Sequence, residues 1–444
     1  MGRLLLAVAL IFLSGRAAAA PIALQFWHSM SGEKGELLAS VVDRFNAAPE
    51  NAGKVRVELQ FIGTYEEGLN KLRTALLAGR GPHLVQITDI GTQAMADSGA
   101  IVPLQDYIDR DPSFPIREIL LPIRRYYEIG GRLYSLPFAS SGPILYYNAD
   151  AFAAAAIKSA PRTFAQLRDD ARRLTDPARR LTGVTWPLHS WFFEELIARQ
   201  GALLADHENG RADRATSVDL VSPAARAAVA LWAGMVQDGS FANVGRGWDP
   251  AEQNFLSGRS AMLLTSTSDV FEIQKKASFR VRTAPLPGDG SNVPGGTIVG
   301  GNSLWILKDK PADERAAAYR FLKFMASKES QRAWHVGTGY FPIRADVIAN
   351  LEKEGFYARN PAAKTAIDQL RAAADVPAAR GALLGTFAQT REYIESALEL
   401  ILAGYQTPDA AMAWAQSRAD DALSRYNRAV AAESSQAASG SKGP

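Results

Sequence analysis

The sequence predicts an α/β protein built on mixed, mostly parallel sheets covered by helices, and three observations predict it. Between residues 22 and 88 the hydrophobic period switches from strand-like to helix-like and back, giving βαβαβ, the pattern of a parallel sheet with helices on its faces. The chain has 444 residues, 47% of them hydrophobic and 21% charged, which is enough core for two or three domains and excludes a disordered chain. It has no cysteine, which excludes a disulfide scaffold, a thiolate metal cluster and a cysteine nucleophile.

The first segment reads as a targeting signal. Arg3 is followed by the apolar run Leu4 to Leu13, then by Ser14, Gly15, Arg16 and four alanines, the pattern of a secretory signal peptide over 1–20. Ten apolar residues fall short of the ~20 needed to cross a bilayer. A lipoprotein needs a cysteine at the cleavage point, so the expectation is a soluble, exported protein. Losing Arg3 and Arg16 takes the net charge from +3 to +1, and so small a charge points to neither nucleic acid nor an anionic membrane.

Ala23 to Trp27 then reads as a buried strand, and Gly35 to Ala47 as a helix with Leu37, Leu38, Val41, Val42 and Phe45 on one face. Val55, Val57, Leu59 and Phe61 alternate with polar residues in a half-buried strand. Leu69, Leu72 and Leu76 mark a helix that stops at Gly79, and His83 to Ile87 is a third strand. Further on, Thr163 and Gln166 fit a capping box, Asp313 to Met325 and Thr390 to Leu402 are amphipathic helices, and Thr407 caps a helix with Pro408 at its first position. Ala284 to Gly301, with three prolines and six glycines, reads as a crossing segment, as do Leu136-Pro137-Phe138 and Gly337 to Tyr340. The Ala/Ser/Gly/Lys-rich end from Ala431 is expected to be disordered.

Catalytic chemistry finds little support. His28, His83, His189, His207 and His335 are scattered, with no pair at the spacing of metal ligands on one helical face. No nucleophile elbow, phosphate-binding P-loop or dinucleotide fingerprint is present. Glu66/Glu67, Asp169/Asp170 and Glu194/Glu195 are carboxylate pairs, but neighbours in sequence diverge, and a glycosidase needs two acids facing each other across ~5–9 Å. They read as solvated faces. The expectation is a protein that is not an enzyme and carries no cofactor or metal.

What stands out is a set of single polar residues at element ends. Tyr65 opens a helix, Asp89 ends a strand, Ser140-Ser141-Gly142 follows a turn, Thr265 to Ser268 close a strand, and Arg391 begins a late helix. In open α/β sheets the carboxyl ends of strands border the ligand crevice.

At these residues the chain resembles the extracellular solute-binding family of ABC importers, and within it the glycerol-phosphate branch. The resemblance is densest at Phe26-Trp27-His28-Ser29-Met30, Leu145-Tyr146-Tyr147-Asn148, Ile298-Val299-Gly300-Gly301, Trp334-His335 with Thr338-Gly339-Tyr340, and Gly355-Phe356-Tyr357 with Asn360-Pro361. It implies a two-lobed periplasmic binding fold with a hinge. The lobes are expected at 21–136 plus 285–338 and at 137–284 plus 339–430, with a tail over 431–444. It implies further a monomer in the periplasm that delivers glycerol-3-phosphate or a glycerophosphodiester to inner-membrane permease subunits with a cytoplasmic ATPase. Carried over by position, the ligand contacts fall on Tyr65, Asp89, Ser141, Leu188, Trp191, Ser266, Gly301, Tyr340 and Arg391.

The chemistry of that set suits the ligand. A guanidinium offers a phosphate two parallel N–H donors, and a carboxylate accepts two glycerol hydroxyls. Asp89 stands where relatives carry glutamate, and Leu188 with Trp191 stands where they carry a W-x-x-W pair. Leu188 in place of an indole leaves room for a headgroup such as choline. Two alternatives stay open: a sugar receptor using Trp27, Trp186, Trp191, Tyr65 and Tyr340 as platforms, and a secreted glycerophosphodiester hydrolase.

Overall fold

The computed structural model describes residues 20–293 and 295–440, so the signal segment before Ala20 lies outside the described residues. The opening βαβαβ forms as the periodicity predicts. β1 (Ile22–His28) pairs in parallel with both β2 (Val55–Phe61) and β3 (Leu84–Thr88). The connections are α1 (Gly32–Ala47), which buries Leu38, Val41, Val42 and Phe45, and α2 (Tyr65–Leu77). A complete capping box starts α2: Glu67 N–H donates to Thr64 Oγ1, and Thr64 N–H donates to Glu67 Oε2 at 2.9 Å.

After β4 (Ile101–Val102) and the small hairpin β5 (Glu128–Ile129) and β6 (Arg132–Leu133), β7 (Leu136–Ser141) runs directly through Gly142 into β8 (Pro143–Asn148). β9 (Thr182–Thr185), β10 (Phe241–Ala242), β11 (Ser260–Ser266) and β12 (Val281–Pro285) follow, and β13 (Gly300–Leu307) closes the series. Two sheets result. The first has the order β2-β1-β3-β13-β4, with β7 also paired to β13, and the second has the order β10-β9-β11-β8-β12. Parallel pairing holds for β1 with its two neighbours and for β9 with β10 and β11, whereas β13, β8 and β12 add antiparallel strands.

The pairing corrects one expected crossing. β7 stays on the first sheet, with Pro137 opposite Ser303 and Ser141 opposite Gly300, so the chain leaves that sheet at Gly142 and not at Pro137. Pro137 sits on an edge strand, where a missing N–H costs no ladder bond, and so does not break it. The crossing between β12 and β13 falls within the Pro/Gly-rich stretch as expected. A second difference is at the end of the chain: the last helix runs Pro408–Gly440, so 431–440 continue it where disorder was expected. Alanine is the strongest helix former, and Ala431, Ala432, Ala437 and Ala438 lie in this stretch.

Ion pairs tie the first layer to the second. Arg214 donates to both oxygens of Asp97 at 2.7 and 2.8 Å, and Tyr426 Oη donates to the same carboxylate at 2.8 Å. On α1, Lys34 pairs with Asp269 just beyond β11, at 2.9 Å, and Glu33 pairs with Lys275 at 2.9 Å.

Candidate ligand-binding cleft

The site begins where β3 ends. Asp89 opens the single turn Asp89–Gly91, its carboxylate is buried, and Thr88 Oγ1 donates to Oδ1 at 2.8 Å. From the other half of the molecule the helix Phe387–Leu402 brings Arg391, in its second turn, to within 3.9 Å of Asp89 Oδ2. Two residues 302 positions apart in sequence thus meet, Asp89 from the end of a strand and Arg391 from the second turn of a helix that begins at Phe387, three residues before the expected start at Thr390.

A carboxylate that the sequence pattern placed on a solvated face completes this centre. Arg391 Nε and Nη2 donate to Glu194 Oε1 and Oε2 at 2.8 and 2.9 Å, a side-on fork, and Ser190 Oγ donates to Oε1 at 3.2 Å. Glu194 and Glu195 are therefore not a solvated face. All nine residues of the helix Ser190–Ala198 are buried, so it has no solvated side. The two neighbours diverge, but both find interior partners: Glu195 accepts the Ile298 N–H on both oxygens at 3.1 and 3.0 Å. The apolar residues on every side of the pair, Trp191, Phe192, Phe193, Leu196 and Ile197, were the signal that could have shown this.

Burial sets the electrostatics. It pushes the Asp89 carboxyl above its usual range, against the pull of Arg391 and the Thr88 hydroxyl. Burial works against the Arg391 charge too, but Glu194 and Asp89 outweigh it and hold the guanidinium firmly protonated. Glu195 is raised by burial, opposed by the Ile298 N–H. His189, desolvated and facing Arg391 and Arg246, is pushed down to about 3 and is neutral.

The remaining expected residues come from both sheets. Tyr65, the first residue of α2, is aimed by a polar relay that composition does not reveal: Ser29 N–H donates to Gln86 Oε1, Gln86 Nε2 to Asn302 Oδ1, and Asn302 Nδ2 to Tyr65 Oη, each at 2.8 Å. Ser141 faces Gly300 across the β7–β13 ladder, and Gly301 lies beside it at φ 112°. A Cβ on Gly300 would lie 2.9 Å from the Trp191 indole, so that ring packs directly on the strand's backbone. Its Nε1 is buried with no hydrogen-bond partner among the described residues. Ser266 ends β11 and its hydroxyl caps the next turn, accepting from Ser268 N–H at 3.1 Å. Tyr340 stacks on Trp334 with centroids 5.9 Å apart. Tyr126 and Tyr127, which sequence reasoning missed, are buried close enough to Asp89 for its charge to raise their pKa further, after burial itself. Leu188 packs in the apolar cluster with Trp186 and Trp191.

Tyr340 is held from behind by His335. Its Nδ1 bonds the Tyr340 carbonyl at 2.7 Å and its Nε2 bonds Tyr357 Oη at 3.0 Å, which accounts for two of the denser sequence segments together. Burial, partly opposed by the Tyr340 carbonyl, lowers this imidazole to about 4. Its contribution to stability is full above the unfolded value near 6.5 and falls as pH drops from 6.5 towards 4, because the unfolded chain takes up the proton first. The unfolding free energy of the wild type relative to His335→Gln is expected to shrink by about 3 kcal/mol across that window in urea titrations; an unchanged difference would contradict the neutral assignment.

Comparison with known proteins places this geometry. A family model described as bacterial extracellular solute-binding protein matches residues 40–365. The sn-glycerol-3-phosphate-binding periplasmic protein UgpB of Escherichia coli K12 is 31% identical over 421 residues, covering 93% of this chain and 95% of that one. The protein of the same name from Pectobacterium atrosepticum is 31% identical over 413 residues, 91% of this chain and 92% of that one. Among solved structures, UgpB from Mycobacterium tuberculosis in complex with glycerophosphocholine is similar at TM-score 0.78 and 24% identity, over 92% of this chain and 99% of that one. A Listeria monocytogenes ABC substrate-binding protein in complex with cycloalternan is similar at TM-score 0.77 and 19% identity, over 91% and 99%. At these identities the structural likeness establishes the two-lobed fold.

Proposed function

Because the chain belongs to the bacterial extracellular solute-binding proteins, we propose that it captures glycerol-3-phosphate or glycerophosphodiesters between its two sheet-centred halves and hands them to an inner-membrane ABC permease. The observation that carries this reading is the meeting of Arg391 with Asp89 at 3.9 Å, with the phenols of Tyr65, Tyr126 and Tyr127 close enough to feel the Asp89 charge. The guanidinium serves the phosphate, and Asp89 accepts from the glycerol hydroxyls. Tyr65, Ser141, Ser266 and Tyr340 add neutral donors, Gly301 a backbone N–H, and Trp191 an indole wall with an unpartnered donor. The lobes are the two sheets with their helices, the first containing β7 and the chain crossing at Gly142. Export to the periplasm and a monomeric state belong to the same reading, as does binding without turnover; hydrolysis of glycerophosphocholine by the purified protein would reverse that last point.

Leu188 bears on which ester fits. Where the resemblance expects an indole, Leu188 stands packed in the apolar cluster beside Trp191, and we read this wall as the headgroup side. Leu188→Trp is expected to weaken glycerophosphocholine at least tenfold in calorimetric titrations while leaving glycerol-3-phosphate within about threefold, one well-packed contact corresponding to roughly a factor of ten. Equal effects on both ligands would remove Leu188 from the headgroup wall.

One observation favours a second reading. The side-on edge of Arg391 is already taken by Glu194, which suits a neutral polyhydroxyl ligand, a sugar. A thermal-shift screen with glycerol-3-phosphate, glycerophosphocholine, inorganic phosphate and maltose separates the two, since a tight ligand stabilises by RT ln(1 + [L]/Kd).

A further inference from the structure

Glu194 spends two of the five N–H donors of Arg391 before any ligand arrives. Glu194 leaves the end-on edge of the guanidinium unengaged, and Asp89 approaches at 3.9 Å from Nη2. Glu194 and Asp89 thus set two carboxylates against one guanidinium. Glu194 is 3% exposed, so water screens it little. Such a centre is unlike an anion trap: it attracts a first negative charge through directed N–H groups and opposes a second.

We propose that Glu194 is a specificity-determining residue that selects the phosphodiester monoanion over the phosphate monoester dianion. A monoester carries −1.5 to −2 near neutral pH, because its second proton leaves near pH 6, and the additional charge faces the carboxylate pair. A diester carries one charge in the same range, and a cationic headgroup, where present, is favoured by the same carboxylates. The inference rests on the reading that the ligand bears a phosphoryl group, and it assigns the choice between monoester and diester to charge, separately from the room left by Leu188. Glu194 acts through Arg391, holding the guanidinium in one orientation while offsetting its charge.

The test uses the mature protein, with glycerol-3-phosphate and glycerophosphocholine titrated calorimetrically at pH 8 into the wild type, Glu194→Gln and Glu194→Asp. Glutamine keeps the shape and one acceptor but removes the charge. The expected result is a rise in glycerol-3-phosphate affinity of about tenfold or more for the glutamine variant, with glycerophosphocholine changed by less than about threefold. Aspartate keeps the charge and is expected to keep the wild-type ratio of the two affinities. If the glutamine variant changes both ligands by one common factor, Glu194 only positions Arg391 and the proposal is overturned. If glutamine and aspartate shift the ratio alike, geometry and not charge is responsible, and the proposal is overturned as well. Binding of neither ester by the wild type would overturn the phosphoryl reading itself, whereas binding of both with an unaltered ratio overturns this inference alone.

Discussion

Arg391→Ala is expected to abolish binding of a phosphate-bearing ligand. Two charge-assisted hydrogen bonds contribute about 1.5–3 kcal/mol each, so the loss is at least a hundredfold and reaches ten-thousandfold. A neutral sugar relies on many weaker bonds and would only be weakened, so the same variant separates the two ligand classes. Removing the guanidinium also strands Glu194, which is buried and has Arg391 as its ionic partner, and breaking one side of a buried pair costs about 3–5 kcal/mol of stability. The double variant Arg391→Ala with Glu194→Ala removes both charges. It should recover much of the melting temperature without recovering phosphate binding, measured by calorimetry and thermal unfolding. Wild-type affinity in the single variant would place the phosphate elsewhere.

Gly301→Ala is expected to be the most destabilising single substitution in the ligand wall. The residue has φ 112°, and a Cβ would stand 1.9 Å from the Ala139 carbonyl oxygen on β7, a backbone atom that cannot turn aside. The β7–β13 register shifts between Gly301 and Ser303, so the glycine lets the edge strand come close at an irregular step. Backbone strain and forced separation of the two strands together correspond to about 3–5 kcal/mol. Gly404→Ala is the comparison: its φ is 76° but nothing lies within 4 Å of the added carbon, so only the conformational cost of about 1 kcal/mol is expected. Denaturant unfolding of the two variants reads the difference directly, and equal losses would show that the contact with Ala139 carries no weight.

The parts of the fold that sequence revealed are those governed by local period. β1, α1, β2, α2 and β3 follow from alternating and 3.6-residue patterns, because each is an element whose burial is decided by its own residues. Where an element's role depends on a neighbour, the reading failed. Leu136-Pro137-Phe138 was read as a crossing segment, and only the pairing of Pro137 with Ser303 on β13 shows that the chain is still on the first sheet there. The alanine-rich 431–440 was read by composition as disordered, although the same alanines extend the preceding helix. In the candidate site, Asp89 and Arg391 were visible as polar residues at element ends. Glu194 was not, since a carboxylate's solvation depends on what surrounds its helix, and here the helix is enclosed. The Gln86–Asn302 relay behind Tyr65 was invisible for a similar reason: its members are 216 positions apart and meet only across β3 and β13.

The pairs Arg214–Asp97 and Lys34–Asp269 bridge the two layers on different elements. Glu33–Lys275 adds a third bridge from the same helix as Lys34. Removing these pairs is expected to speed the departure of a solute held between the halves more than it changes the rate of arrival, read in stopped-flow release against association. The time a captured solute spends on the protein would then depend partly on side chains that never touch it.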